Sequence, residues 1–195
     1  MTDAPPRHAY GDESFKEAAD GTGYYVLAAV VVDPRVAPEL RDRMRALRRP
    51  VTAPKLHWAD LQEPDRAKVV QVVAELRAEY LVVVGTPVDL RRQERARRKC
   101  LERMLEHLQS WNVGLYLLEQ RTELLNKKDM NTVNAARQSR RITGSIRLEH
   151  VAPSTEPLAW VADVIAAVRA RAKSGRKDYG ELLQDKLVED ELNLL

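Results

Sequence analysis

Aliphatic runs and helical repeats of apolar residues alternate along the chain. Two runs are rich in β-branched residues and stop at prolines, Pro34 and Pro87, as buried strands do. The first strand candidate has the weakest pattern, but the Gly21-Thr22-Gly23 turn would let it pair with the next. The predicted strands are His8–Asp12, Tyr24–Val32, Tyr80–Thr86, Val113–Glu119 and Ile142–His150.

Apolar residues at spacings of three and four predict helices between these strands. Pro64 suits a first helical position, Asp89, Asp129 and Thr155 are candidate N-caps, and Ser174 and Gly175 lie in a break at 173–177. The predicted helices are Pro64–Glu79, a helix after Asp89 with Cys100, Leu101, Met104, Leu105 and Leu108 as its buried stripe, Asp129–Arg140, Thr155–Lys173 and a short helix near Leu182–Val188.

The resulting order predicts one α/β domain over residues 1–195, with residues 1–7 flexible. A hairpin opens the chain, and helical crossovers connect the later strands. This order predicts a mixed sheet with helices on both faces. Ligands of such sheets gather at the carboxyl ends of the central strands, so acidic residues at strand ends are the first place to look for chemistry.

Composition agrees with a globular domain and indicates the cellular compartment in which to expect it. The 195 residues are 44% hydrophobic and 31% charged. No apolar run approaches the roughly 20 residues that span a bilayer, and the first eight residues lack the apolar core of a signal peptide. The single cysteine, Cys100, excludes an internal disulfide. We therefore expect a cytoplasmic protein.

The net charge of +3 is small, but its distribution is uneven. Seven basic residues lie between Arg91 and Arg103, whereas Asp178–Glu191 holds six acids and one lysine. A stripe at spacings of 3, 4 and 4 would suit a phosphate backbone, which relieves its self-repulsion. Glu94 and Glu102 on adjoining faces could relieve it too, and a solvated surface is the alternative. The stripe consists of Arg92, Arg95, Lys99 and Arg103.

Three carboxylates stand out by position. Asp12 ends the first strand, Glu119 ends the fourth, and Asp163 lies inside the helix after Thr155. Taken singly, Asp12 could belong to an ordinary turn and Glu119 could pair with Arg121. Together, two parallel strands and a helix packed across them can bring all three carboxylates within reach of one ion.

Asp163 is the most informative of the three. Its neighbours around the helix are mostly alanines, with Trp160, so the face is small and apolar and lets the helix approach the sheet closely. A carboxylate buried there costs several kcal/mol unless something compensates its charge. A divalent metal, an arginine or a backbone amide could compensate it. Alternatively, Asp163 could be exposed to water near the edge of a subdomain.

Two histidines are candidates for proton transfer because their ordinary pKa lies near neutrality. His57 precedes Trp58, and His150 ends a strand shortly before the Asp163 helix. The alternative for each is packing beside a tryptophan or bonding to backbone.

The chain resembles a family of uncharacterised proteins, common in actinobacteria, with an N-terminal Asp-Glu-Ser motif, a domain of unknown function assigned to the RNase H-like (retroviral-integrase-like) superfamily. The matching segments span most of the chain in the family's order, and the last is the most specific. They are HAYGDES at 8–14, YYVLAAVVV at 24–32, KLHWAD at 55–60, RQERARR at 92–98, LYLLEQR at 115–121 and HVAPSTEPLAWVAD at 150–163.

The resemblance implies a five-stranded mixed sheet whose first three strands are antiparallel and whose other two are parallel to the first. It also implies an acidic site of Asp12, Glu119 and Asp163, with Glu13 and Asp129 as further acidic positions. Phe15 stands where many relatives have glycine. The fourth carboxylate usual in RNase H has no clear counterpart.

Oxygen ligands of this kind suit Mg²⁺ or Mn²⁺, and two such ions about 4 Å apart can promote in-line attack on a phosphodiester. The leading hypothesis is therefore a divalent-metal-dependent nuclease, with DNA or RNA as its partner. The alternative is a catalytically inactive RNase H-like scaffold that binds nucleic acid or protein.

Overall fold

The computed structural model describes residues 5–17, 23–48, 50, 52–173 and 179–195. Strands and helices follow one another in the order β1 (Arg7–Glu17), β2 (Gly23–Val32), α1 (Ala37–Ala46), α2 (Glu63–Glu75), β3 (Glu79–Val88), α3 (Gln93–Ser110), β4 (Val113–Glu119), α4 (Glu123–Gln138), β5 (Arg147–Val151), α5 (Pro157–Lys173) and β6 (Leu187–Asn193). The predicted strands and helices are present up to α5, and α1 is a further helix for which no bounds were predicted.

One mixed sheet has the strand order β5-β4-β1-β2-β3-β6. The antiparallel pairs are β1 with β2 and β2 with β3, and the parallel pairs are β1 with β4, β4 with β5 and β3 with β6. Five of these strands match the expected arrangement. The expected count of five is wrong, because β6 adds a sixth strand beside β3.

β6 lies where the sequence predicts a short helix near Leu182–Val188. Two single-turn 3₁₀ helices come first, and the chain then extends along the sheet edge. Acidic residues rarely favour strands, but here basic residues of the flanking helices pair with them. Arg169 of α5 lies 2.6 Å from Glu189, and His107 of α3 lies 2.7 Å from Asp190. Ion pairs thus hold a segment whose composition predicts a solvated tail.

The helices cover both faces of the sheet, as predicted. One core lies between the sheet and α1, α2 and α5, and the other lies between the sheet and α3 and α4. Side chains of β1 alternate between the two cores, with Tyr10 in the first and Ala9 in the second. A polar residue on this strand therefore belongs to one face or the other according to its parity.

Several element boundaries differ from the predicted ones. α2 ends at Glu75 because β3 begins at Glu79. Residues 142–146 of the strand predicted at Ile142–His150 lie before β5, in turns and irregular backbone. α4 begins at Glu123, where Thr122 Oγ1 accepts a hydrogen bond from Leu125 N, so Asp129 is not an N-cap. Of the segment expected to be flexible, residues 1–4 lie outside the described residues, as do residues 21–22 of the predicted turn and residues 174–177 of the predicted break.

Within the part of the chain that the structure describes, no helix is both long enough and apolar enough to cross a membrane.

Candidate active site

Asp12 and Glu119 are neighbours on the same face of the sheet. β1 and β4 are parallel, and their register pairs Gly11 with Leu118 as the last match. The next positions along the two strands are Asp12 and Glu119. Asp12 shares its parity with Tyr10, which packs in the core beneath α5. The two carboxylates therefore lie side by side under that helix.

Asp163 approaches the same place from α5. This helix is buried on nearly all sides, and its alanines, among them Ala159, Ala162 and Ala166, have no exposed surface. Such small side chains let α5 lie close against the sheet. Asp163 retains 8% exposure, the same fraction as Asp12, and both are among the few buried charged residues of the described chain. The predicted burial of Asp163 on an alanine face is what the structure has.

The three carboxylates act on one another electrostatically. Burial, followed by the charges of Glu119, Asp163 and Glu13, holds the pKa of Asp12 well above its usual range. Only a hydrogen bond from the backbone N–H of Glu13 to Asp12 Oδ1, at 2.8 Å, opposes this shift. Burial also raises the pKa of Glu119, to which the charge of Asp163 adds while Lys55 opposes it. The three side chains thus form one acidic cluster.

The segment from Lys55 to Trp58 supplies compensating groups to this cluster. Lys55 Nζ donates to Glu119 Oε1 at 3.1 Å. His57 Nδ1 lies 2.8 Å from Asp163 Oδ2, and the backbone N–H of Trp58 donates to the same oxygen at 2.9 Å. The hydrogen bond to Asp163 raises the pKa of His57. One short segment therefore partners two of the three carboxylates.

Trp58 anchors that segment in the core. Its ring is buried and meets Tyr179 edge to face, with the centroids 6.0 Å apart. The guanidinium of Arg66 lies over the same ring at 5.2 Å. His57, with 39% of its side chain exposed, stays at the surface of the site. The segment thus has a fixed end at Trp58 and polar side chains that reach solvent.

The cluster fits a hard divalent cation in the kind of donors it offers. All three side chains supply oxygen, and Glu119 Oε2 is buried without a hydrogen-bond partner. As arranged here, however, no three His, Cys, Asp or Glu side chains of the described residues converge closely enough to hold an ion. Lys55 bonds Glu119, and His57 and the backbone N–H of Trp58 bond Asp163, so these two carboxylates already have partners within the chain.

Glu13 and Asp129 lie on the opposite face of the sheet and do not join the cluster. Arg97 of α3, with 2% of its side chain exposed, bonds Asp129 through Nε and Nη2, both at 2.8 Å, and its Nη1 lies 2.7 Å from Glu13 Oε2. Arg121 Nη2 adds a contact of 3.1 Å to Asp129. These two acidic positions therefore belong to a buried ion-pair network between β1, α3 and α4.

His150 belongs to this second network as well. Its Nε2 lies 3.0 Å from Asp129 Oδ2. Burial alone would raise the pKa of Asp129, but hydrogen bonds from Arg97 and His150 hold it well below its usual range. Of the two histidines considered for proton transfer, only His57 is placed in the acidic cluster.

The basic stripe of α3 lies on the face of the sheet away from α5, and much of it is engaged within the chain. Arg95 donates to the carbonyl of Leu194, at 3.0 Å. The others pair with acids, Lys99 with Glu102, Arg103 with Asp190 and Glu106, and Arg92 with Asp89 at 4.0 Å. Arg92 keeps 67% of its side chain exposed. A nucleic-acid role for these residues stays a prediction.

Sequence reasoning missed Lys55 and Arg97 as important residues. Arg97 had a detectable signal, because it precedes Leu101, Met104 and Leu108 at spacings of 4, 3 and 4 and so continues the buried stripe of α3. Lys55 had none beyond its proximity to His57. Its partner is 64 positions away, and only the fold brings them together.

No model of a known protein family matches the chain, and no curated protein does. Solved structures do match. A chain of the PCNA:RNase HII complex from Archaeoglobus fulgidus aligns with a TM-score of 0.56 at 15% identity, over 85% of this chain and 73% of that one. The fold is RNase H-like. Ribonuclease H2 from Pyrococcus horikoshii OT3 agrees, with a TM-score of 0.52 at 13% identity over 85% and 72% of the two chains.

Proposed function

We propose that this chain is a divalent-metal-dependent nuclease that hydrolyses phosphodiester bonds. The observation that carries the proposal is the proximity of Asp12, Glu119 and Asp163, which are remote in sequence, where the carboxyl end of β4 lies beside the middle of β1. Burial and the neighbouring carboxylates hold the pKa of Asp12 well above its usual range. The ribonuclease names of the structural neighbours agree with this proposal, as does the resemblance to the actinobacterial Asp-Glu-Ser family.

Asp12, Glu119 and Asp163 would hold Mg²⁺ or Mn²⁺. Such an ion, when bound, supplies an activated water and neutralises charge on the phosphodiester. Nδ1 of His57 is engaged by Asp163 and 39% of the side chain is exposed, so Nε2 would be the atom at which this residue could exchange a proton with substrate or water. Glu119 Oε2, which is buried without a hydrogen-bond partner, is a carboxylate oxygen that would be free to bind the ion.

Cleavage assays test this proposal directly. Single-stranded, duplex and RNA–DNA hybrid substrates are incubated with the protein and Mn²⁺, with Asp12→Asn as the inactive control and Asp185→Asn, at an exposed position outside the cluster, as the matched control. We expect turnover by the native protein and by Asp185→Asn. Absence of any turnover above that of Asp12→Asn on all substrates would count against a nuclease.

Nucleic acid as the partner makes a separate prediction about the basic stripe. Phosphate contacts release counterions, so binding through Arg92, Arg95, Lys99 or Arg103 weakens steeply as salt rises. Arg92, with 67% of its side chain exposed, is the residue to replace first. A binding isotherm that is independent of salt would remove the stripe from the interface.

A second candidate is a catalytically inactive RNase H-like scaffold that binds nucleic acid or protein. The observation that favours it is the compensation of Glu119 by Lys55 and of Asp163 by His57 and Trp58. Titration with Mn²⁺ separates the two candidates. A scaffold binds no Mn²⁺ at this cluster, and replacing Asp163 leaves its metal affinity unchanged.

A further inference from the structure

We propose that Lys55 is an internal counter-ion of the acidic cluster, which competes with the divalent cation and leaves Glu119 when the cation binds. This inference rests on the proposed metal site. It assigns to Lys55 a regulatory role that concerns metal affinity rather than the chemical step.

The contact between Lys55 and Glu119 can form and break without disturbing the surrounding core. Lys55 Nζ lies 3.1 Å from Glu119 Oε1, and the two side chains are 25% and 16% exposed. A lysine carries its charge as a compact point at the end of a flexible four-carbon stem. Partial exposure lets that stem swing to solvent without unfolding the core, since the segment is anchored at Trp58 and not at Lys55.

Charge balance explains why the cluster binds a lysine and why a divalent cation would replace that lysine. Glu119 lies in one cluster with the buried carboxylates of Asp12 and Asp163, so more than one negative charge has to be offset there. One ammonium offsets one negative charge and reaches only Oε1, which leaves the buried Oε2 without a hydrogen-bond partner. A divalent cation carries twice the charge of an ammonium and coordinates several oxygens at once.

The same contact explains why no ligand set is preformed in the described chain. While Lys55 is bonded to Glu119, the cluster is not in its metal-binding arrangement. The apparent metal affinity is therefore the intrinsic affinity multiplied by the fraction of molecules in which this contact is broken. A pair that is formed about nine-tenths of the time therefore weakens the apparent metal affinity about ten-fold. Replacing Lys55 with an uncharged residue removes this competition.

Calorimetric titration of metal-free protein with Mn²⁺ tests the inference. The variant is Lys55→Met, which keeps most of the aliphatic stem, and the matched control is Lys68→Met at an exposed position of α2. We expect Lys55→Met to bind Mn²⁺ about ten-fold more tightly than the native protein and Lys68→Met to be unchanged. Equal or weaker affinity of Lys55→Met overturns the inference but leaves the proposed nuclease intact.

Absence of Mn²⁺ binding by any form, with heats equal to those of Asp12→Asn, would overturn both the inference and the metal-dependent function. A measurement on the native protein guards against misfolding of the variant. An amine-reactive ester modifies accessible lysines, and mass spectrometry reports the extent at each one. We expect Mn²⁺ to increase modification of Lys55 and not of Lys68; unchanged modification of Lys55 at saturating Mn²⁺ overturns its release.

Discussion

The metal-free protein should become more stable when Asp12 is replaced by asparagine. Asp12 is 92% enclosed by the surrounding structure and lies beside Glu119 and Asp163, so its ionised form is disfavoured in the folded state. Asparagine has nearly the same shape without the charge. Its Oδ1 can still accept the hydrogen bond that the backbone N–H of Glu13 donates, at 2.8 Å in the native protein.

The sign and size of the effect follow from linkage. A carboxyl whose pKa is raised by folding contributes stability at low pH and loses it as pH rises from its ordinary value, about 4, through the raised value. Each pKa unit corresponds to about 1.4 kcal/mol, and 1 kcal/mol moves the Tm of a domain of this size by about 2–4 °C. Because the pKa of Asp12 is raised well above its usual range, we expect the variant to gain several degrees above neutral pH.

Thermal unfolding in EDTA from pH 4 to pH 8 measures this difference. The advantage of Asp12→Asn should be largest at the high end and shrink toward pH 4, where the carboxyl is protonated in the folded state and about half protonated in the unfolded state. Asp185→Asn, at an exposed position, should show no such trend. If Asp12→Asn were less stable than the native protein at pH 8, or if its advantage did not change with pH, the reasoning about a repelling buried cluster would be refuted.

Three further predictions concern single residues. Arg97→Met leaves two buried carboxylates without their main partner and should cost about 3–5 kcal/mol in urea unfolding, whereas Arg98→Met at a half-exposed position should cost little; equal losses would contradict the network. Tyr116→Phe removes a buried hydroxyl that has no hydrogen-bond partner and should raise stability by about 1 kcal/mol, so a loss in urea unfolding would refute it. The imidazole of His57 should titrate by NMR above its ordinary pKa of about 6.5, and Asp163→Asn should lower that value; no change would mean that the bond to Asp163 is absent in solution.

The sequence predicted the fold well where hydrophobic pattern and burial coincide. β4 has the predicted bounds, and β2 and β3 differ from theirs only at the ends, because aliphatic runs that are buried on both faces leave little choice of structure. β6 escaped prediction because its acidic side chains favour neither a strand nor burial. Partners on α3 and α5 stabilise it, and nothing local in the sequence indicates those partners.

The acidic cluster was predictable in outline for a similar reason. The end of β4 and the alanine face of α5 are local features that indicate Glu119 and Asp163. The expectation that Asp12 ends the first strand is wrong, because β1 continues to Glu17 by pairing with β2. Asp129 shows the limit of the method. An aspartate ahead of an apolar stretch looks like an N-cap, yet Thr122 fills that position and Asp129 turns into the core to meet Arg97. Contacts between distant segments, such as that of Lys55 with Glu119, are set by the tertiary fold alone.

Anomalous diffraction from crystals soaked in Mn²⁺ tests most directly whether the cluster is a metal site. The account predicts an anomalous peak in contact with the carboxylate of Asp12 and with at least one of Glu119 and Asp163, and no peak there in crystals of Asp12→Asn. Native crystals that show no density at these three carboxylates at saturating Mn²⁺, with Lys55 still bonded to Glu119, would contradict it.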